Sequence, residues 1–145
     1  MTDEVLIVAY DYNSQQPRFF SKFYSNLEPP IYNVTVGNAT GASSAAPTFF
    51  DPKFIQNQYN LTELQIDGGI ICNNPSLYAY QMARLLEGHD QIRVMSIGTG
   101  EKPFTPITSV KELDKKAYLT KLDEFMMNMD VYTADFYLRN FAFKD

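Results

Sequence analysis

The sequence predicts an α/β fold with an open, mostly parallel sheet and helices on its faces. Residues 5–9 and 92–97 are near-continuous apolar runs, as found in strands that are buried on both faces. Between them, apolar residues recur at helical spacing over residues 77–86. Strand, helix and strand in alternation are typical of a sheet covered by helices.

The first predicted strand leads to Asp11 and a turn. Asp11 precedes Tyr12-Asn13-Ser14, and aspartate side chains commonly accept hydrogen bonds from the backbone two residues on. The pattern therefore favours a turn-forming role for Asp11 over a catalytic role for its carboxylate. In residues 15–23 the aromatic side chains are core candidates, namely Phe19, Phe20 and Phe23.

A segment of small residues follows and predicts a helix that lies close against the sheet. The small side chains are Ala39, Ala42, Ser43 and Ala46. Pro47 is expected to end this helix, and Phe49 and Phe50 are expected to turn back into the core.

The most informative stretch is Asp67-Gly68-Gly69, which ends a third apolar strand. Glycine permits positive φ and a close approach of other groups, so the carboxylate would sit on a tight turn. Asn74 is predicted to cap the next helix, with Pro75 as its first residue. The alternative is that Asp67 only nucleates a turn, as Asp-Gly pairs often do.

A second glycine turn, Gly98-Thr99-Gly100, follows the apolar run at residues 92–97. Functional groups collect at the carboxyl ends of strands in open α/β sheets, so this turn and Asp67 are expected at the same edge. The Gly-Thr-Gly could cradle a phosphate, but an ordinary turn near the site is favoured because glycine turns are common after strands.

Beyond a proline-punctuated loop, an amphipathic helix is predicted from Ser109, which forms a capping box with Glu112. Its apolar positions include Val110, Leu113, Ala117, Leu122, Phe125, Met126 and Met129. The methionine- and aromatic-rich residues 126–138 could line an acyl site or meet lipid. A buried core or interdomain stripe is favoured, because apolar residues at helical spacing are usually buried.

Composition narrows the function classes. The 145 residues carry a net charge of −5 with interspersed charges, which argues against a nucleic-acid partner. No apolar stretch is long enough to span a membrane and the start is acidic, so a cytoplasmic location is expected, with peripheral membrane contact as an option.

The chain has one cysteine and one histidine, so metal and redox chemistry are not expected. Cys72 cannot form an internal disulfide, and its apolar neighbours favour a buried thiol. His89 follows a glycine at a predicted helix end, where a positive charge is favourable, so a catalytic role is not expected. No metal or other cofactor is predicted.

Three blocks together resemble the back half of a patatin-like phospholipase domain. They are Ser44-Ala45-Ala46-Pro47 with Phe50, Asp67-Gly68-Gly69 followed by Asn74-Pro75, and the strand ending in Gly98-Thr99-Gly100. The resemblance covers about residues 4–100. It implies an incomplete three-layer α/β domain over residues 1–145, with an α/β part (1–100) and a loop with amphipathic helices (101–145).

The resemblance also implies a lipid acyl hydrolase that acts on ester bonds of phospholipids or acylglycerols. In that family a Ser-Asp dyad performs catalysis, and the aspartate corresponds to Asp67, with Gly68 and Gly69 completing its motif. A serine hydroxyl needs a base within hydrogen-bond reach, and a partly desolvated carboxylate can serve. The family's Gly-x-Ser-x-Gly elbow and oxyanion glycines are both absent from this chain.

Three hypotheses follow. The chain is the carboxyl-side part of a hydrolase and contributes Asp67, or it is an inactive lipid- or protein-binding remnant, or it is a self-sufficient hydrolase that uses Ser43. Gly41-Ala42-Ser43-Ser44-Ala45 comes nearest to an elbow, but an elbow needs a preceding strand. The first hypothesis is therefore favoured. The isolated chain is expected to be inactive and poorly soluble or self-associating.

Overall fold

The computed structural model describes residues 4–22, 34–57, 59–85, 91–100 and 115–142. The strands are β1 (Ile7–Asp11), β2 (Gln16–Phe20), β3 (Lys53–Gln56) and β4 (Thr62–Asp67). The helices are α1 (Val36–Ser43), α2 (Gly69–Cys72), α3 (Ser76–Leu85), α4 (Lys115–Thr120) and α5 (Leu122–Tyr137), and a π-helical turn, Leu138–Ala142, continues α5. Ser109, Glu112, His89 and Phe23 lie outside the described residues.

The four strands form an open sheet in the order β2-β1-β4-β3. The α/β class with an open sheet is confirmed, but the mostly parallel sense is wrong for the described strands, because every neighbouring pair runs antiparallel. For the pair β1 and β2, the connection explains the antiparallel sense. Only residues 12–15 join β1 to β2, and a parallel pair would need a crossover of a dozen or more residues.

The apolar run at residues 92–97 does not form the predicted strand. Residues 92–98 are irregular, and the side chains of Met95 and Ile97 are each 82% exposed. A strand of this type is stable only when neighbouring strands satisfy its backbone and layers on both faces cover its side chains. Within the described part of the chain, no strand pairs with this run.

The hydrophobic core lies between α1 and one face of the sheet. Ala39 and Ala42 of α1 pack with Ala9, Phe20 and Ile55 of the strands. Thr35 caps the helix, since its Oγ1 accepts a hydrogen bond from the backbone N–H of Asn38 at 3.2 Å. The predicted close packing of a small-residue helix on the sheet is therefore confirmed.

The end of this helix differs from the prediction. α1 ends at Ser43, well before Pro47, and Phe49 and Phe50 are 81% and 65% exposed instead of buried. The carbonyl of Ala46 accepts hydrogen bonds from both of their backbone N–H groups, and Thr48 has φ 72°. This tight turn directs the two rings away from the core.

Helix α3 contacts the opposite face of the sheet. The rings of Phe19 and Tyr78 have centroids 4.9 Å apart. Successive strand residues point to opposite faces, so Phe19 faces away from the side on which Phe20 meets α1. The described sheet thus has a helix on each face, as the sequence predicts.

Asp11 has the turn-forming role that the sequence predicts. It ends β1, is buried, and accepts hydrogen bonds from the backbone N–H groups of Asn13 and Ser14 at 3.4 Å and 3.2 Å. Arg18 pairs with Asp11 at 3.2 Å and with Glu63 at 3.0 Å. These ion pairs connect three neighbouring strands and give Asp11 a structural function.

Helix α5 is apolar around most of its circumference. One side is buried at Ala134, and Leu138 is buried just beyond the end of the helix. The exposed large apolar side chains of the helix are Leu122, Phe125, Met126, Met129, Tyr132, Phe136 and Tyr137. The prediction of a buried stripe is therefore wrong for these residues, because α2 and α3 cover only one side of the helix. None of the described helices has the length and apolar character needed to cross a bilayer.

Candidate active site

Asp67 is the last residue of the central strand β4, and its backbone is also bound by residues at the end of α1 and just beyond it. Its N–H donates to the carbonyl of Ala45 at 3.1 Å, and the N–H of Gly68 donates to the carbonyl of Ser43 at 3.2 Å. The half-buried carboxylate accepts a hydrogen bond at Oδ1 from the N–H of Gly69 at 3.0 Å. The segment after α1 therefore fixes the turn that carries the acid.

Gly68 is required by the close approach of β1. A Cβ atom at this position would lie 2.1 Å from the carbonyl oxygen of Val8, far inside any van der Waals contact. The Val8 backbone thus leaves space only for a hydrogen atom at this position. Gly68 does not use the positive φ that glycine permits, because its φ is −69°, and its hydrogen side chain is needed for space alone.

Gly69 leaves room beside the carboxylate. A Cβ here would lie 3.3 Å and 3.5 Å from the two carboxylate oxygens of Asp67 and 3.4 Å from Oδ1 of Asn73. These contacts are tight but could be relieved by small shifts. Gly69 therefore places its N–H on the acid without crowding it.

The single-turn helix α2 lies between Asp67 and the cap of α3, and the sequence did not reveal it. The carbonyl of Gly68 accepts hydrogen bonds from the N–H groups of Ile71 and Cys72 at 3.2 Å and 2.9 Å. Glycine and β-branched isoleucine are poor helix formers, so local propensity gave no signal. The antiparallel contact of Gly68 with β1 and the packing of α5 stabilise the turn instead.

Asn74 caps α3 as predicted, but the helix begins at Ser76, one residue after the predicted Pro75. Oδ1 of Asn74 accepts a hydrogen bond from the N–H of Ser76 at 3.1 Å, and the carbonyl of Pro75 accepts one from Ala79 at 2.9 Å. Asn74 thus fixes the direction in which the chain leaves the acidic turn.

A cleft of about 370 Å³ opens beside Asp67. It is lined by Leu6, Ile7, Val8, Thr40, Ser43, Asp67, Gly68, Gly69, Cys72, Asn73 and Pro75. Its wall combines apolar side chains from the start of β1 with a few polar groups, an arrangement common in ligand sites. Sequence reasoning missed Thr40 and Asn73 as lining residues, although the Asn-Asn-Pro run placed Asn73 next to a predicted cap.

The structure brings Ser43 into the same cleft as Asp67, but the two side chains are not hydrogen-bonded in the described structure. Ser43 is the last residue of helix α1, so it does not occupy the strand-to-helix turn that an elbow needs. Thr40 turns its hydroxyl back onto its own helix, where it donates to the carbonyl of Val36 at 2.9 Å.

Cys72 is a buried thiol in the cleft wall, as predicted. Burial raises the pKa of Cys72 to about 12, and the negative charge of Asp130 adds to the effect. The thiolate is therefore disfavoured, and Cys72 is unsuited to act as a nucleophile. Among the described residues, no cluster of metal-ligating side chains is present.

The Gly98-Thr99-Gly100 turn does not join this site in the described structure. It follows an irregular segment instead of a strand, and none of its residues lines the cleft. Gly100 has φ 99°, so the turn requires glycine for its backbone conformation.

The fold and the cleft together define an α/β protein with an acid fixed at a strand end beside a partly apolar cavity. No family model matches the chain. The chain is 36% identical over 128 residues to patatin-like protein 1 of Arabidopsis thaliana, a match that covers 77% of the chain and 31% of that protein.

Two further relatives carry the name phospholipase. The cUMP-AMP-activated phospholipase of Escherichia coli is 31% identical over 118 residues, covering 80% of the chain and 37% of that protein. The 85/88 kDa calcium-independent phospholipase A2 of Rattus norvegicus is 34% identical over 100 residues, covering 59% of the chain and 11% of that protein. The chain belongs to the patatin-like phospholipase family. It spans about a third of the length of the first two of these relatives.

Proposed function

We propose that this chain is the aspartate-bearing part of a lipid acyl hydrolase that cleaves carboxylic ester bonds of phospholipids or acylglycerols. The observation that carries the proposal is the carboxylate of Asp67, which is half-buried and fixed at the wall of a partly apolar cleft. The names of the relatives support a lipid substrate.

Asp67 acts as the general base of a Ser-Asp dyad. Oδ1 is held by the N–H of Gly69, whereas Oδ2 has no hydrogen-bond partner among the described residues. That oxygen takes the proton from a serine hydroxyl as the serine attacks the ester carbonyl. Gly68 and Gly69 position the acid and leave space around it.

The nucleophilic serine and the oxyanion glycines come from sequence outside this chain. The chain has no Gly-x-Ser-x-Gly elbow, and the matches cover only 31% and 37% of the first two relatives. In this proposal residues 1–145 form part of one patatin-like domain. Residues 1–100 supply the acid on the α/β part, and residues 101–145 supply helices that pack behind it.

A second candidate function is a lipid- or protein-binding remnant without activity. The exposed apolar side chains of α5 favour it, because such surfaces often mark interaction sites. The coding sequence upstream of residue 1 distinguishes the candidates. An in-frame glycine-rich loop and serine elbow would support the hydrolase, and their absence would support the remnant.

Substitution of Asp67 tests the hydrolase directly. In the full-length protein, Asp67→Asn is expected to lower the rate of phospholipid ester hydrolysis by about 10²–10⁴-fold, since the amide cannot accept the serine proton. The melting temperature should stay close to that of the wild type. Asp51→Asn, the same change at an exposed position, is the matched control and should retain full activity.

A fluorophosphonate probe tests whether the nucleophilic serine of the dyad lies outside this chain. In the full-length protein, we expect labelling of a serine upstream of residue 1. In the isolated chain, we expect no labelling. Labelling of Ser43 would overturn the proposal, and so would undiminished turnover by Asp67→Asn.

A further inference from the structure

Asp130 connects helix α5 to the turn that follows the acid. It is half-buried, and its Oδ2 accepts a hydrogen bond from the backbone N–H of Asn74 at 2.8 Å. This N–H belongs to the same planar peptide unit as the carbonyl of Asn73. The carboxylate therefore fixes the orientation of the peptide between Asn73 and Asn74.

The side chain of Asn74 is held as well. Oδ1 of Asn74 accepts hydrogen bonds from the N–H of Ser76 at 3.1 Å and from Oγ of Ser96 at 3.4 Å. Asn74 is thus anchored to α3 and to the segment at residues 92–98, and Asp130 adds a contact to α5. A charged acceptor makes such a bond about twice as strong as a neutral one.

Asn73 lies between the anchored peptide and Asp67. Its Oδ1 and both carboxylate oxygens of Asp67 lie within 3.3–3.5 Å of one point, the position that a Cβ on Gly69 would occupy. Asn73 is exposed, and its amide oxygen and the carboxylate are neighbours at Gly69 without a hydrogen bond between them in the described structure. Both side chains line the cleft.

We infer that Asp130 is a positioning residue, which fixes the Asn73–Asn74 peptide and thereby holds the Asn73 amide beside Asp67 in the cleft wall. The inference rests on the proposed function, in which Asp67 is the base. A displacement of about 1 Å near a reacting group can lower a rate 10²-fold. A distant carboxylate can therefore control the rate without contacting the substrate.

Two near-isosteric substitutions in the full-length protein test this role. Asp130→Leu removes the acceptor and is expected to lower kcat about 10- to 100-fold with little change in KM. Asp130→Asn keeps an acceptor oxygen and should retain most of kcat. Asp135→Leu, on the same helix but exposed and paired only with Arg139 in the described structure, is the matched control and should behave like the wild type.

Hydrogen exchange of the Asn74 amide gives a readout that needs no turnover. The amide should exchange slowly in the wild type and in Asp130→Asn, and rapidly in Asp130→Leu. A wild type that hydrolyses no ester would contradict the proposed function, while the exchange rates would still decide whether Asp130 fixes this peptide. If Asp130→Leu fails to fold, Asp130→Ala replaces it, and rapid exchange of the Asn74 amide is again expected.

Three results would overturn the inference. One is a kcat for Asp130→Leu equal to that of Asp135→Leu. Another is an Asp130→Asn variant as slow as Asp130→Leu, which would assign the effect to charge instead of the hydrogen bond. The third is a wild-type Asn74 amide that exchanges at the rate of an unprotected one.

Discussion

Two neighbouring glycines at the acidic turn are needed for different reasons. Gly68 lies against the backbone of Val8, where a Cβ would be 2.1 Å from the carbonyl oxygen. Gly69 is constrained more weakly, by side-chain oxygens that can move. The sequence predicted a glycine-dependent approach at this turn, but it could not tell a steric requirement from a need for positive φ, because either one selects glycine.

The steric requirement predicts a large stability loss for Gly68→Ala. The new Cβ would force β1 and β4 apart, so we expect a loss of about 3 kcal/mol or more in the free energy of unfolding, measured by chemical denaturation. Gly37→Ala is the matched control, because its Cβ meets nothing closer than 4.0 Å and alanine favours a helix by about 1 kcal/mol. Wild-type stability of Gly68→Ala would contradict the described approach of β1.

The buried thiol predicts a defined pH dependence. Because burial raises the pKa of Cys72 from 9.0 to about 12, the unfolded state releases its proton at lower pH than the folded state. This contribution to stability is present below pH 9 and is lost between pH 9 and about pH 12. At pH 10, alkylation should therefore be slow in the folded chain and fast in denaturant. Equal rates in both states would contradict the burial of Cys72.

At the scale of elements, the residue pattern predicted the features whose interaction partners lie nearby in the sequence. The turn at Asp11 and the cap at Asn74 depend on neighbours within a few residues, and both were predicted. The run at residues 92–97 depends on strands from elsewhere, and its apolar residues alone did not make it a strand. Helix α2 shows the converse, because tertiary contacts stabilise a turn with poor intrinsic propensity.

The close packing of α1 predicts a penalty for added volume. Ala42 is fully buried against the sheet, so Ala42→Leu should lower the free energy of unfolding by about 1–3 kcal/mol through overpacking. Asn38→Leu on the exposed side of the same helix should change it by less than about 0.5 kcal/mol. Urea denaturation of the two variants measures the difference. Similar losses in both would show that α1 does not lie against the sheet.

At the scale of the whole molecule, apolar surface is the dominant feature. The described sheet has β2 and β3 as its edge strands, and aromatic and methionine side chains of α5 are exposed. Unpaired edges and apolar patches both promote association. They support the expectation that residues 1–145 alone do not behave as an isolated monomer.

Self-association of the isolated chain is therefore predicted, with α5 as a contributing surface. Sedimentation should show oligomers at micromolar concentration, and Met129→Glu with Phe136→Glu should shift the distribution toward the monomer. Lys116→Glu, an exposed change away from those two residues, serves as the charge control. A monodisperse wild-type monomer with a sharp unfolding transition would contradict the prediction.

The sequence by itself determined the α/β class, the turn at Asp11, the small-residue helix and the acid on its glycine turn, because each depends on local spacing and residue size. Only the tertiary structure decided the antiparallel pairing, the exposure of Phe49, Phe50 and α5, and the meeting of Ser43, Asn73 and Asp67 in one cleft. These features depend on which distant segments lie side by side. Local propensity does not determine which distant segments pack together. The same apolar residue is buried or exposed according to which segments cover it.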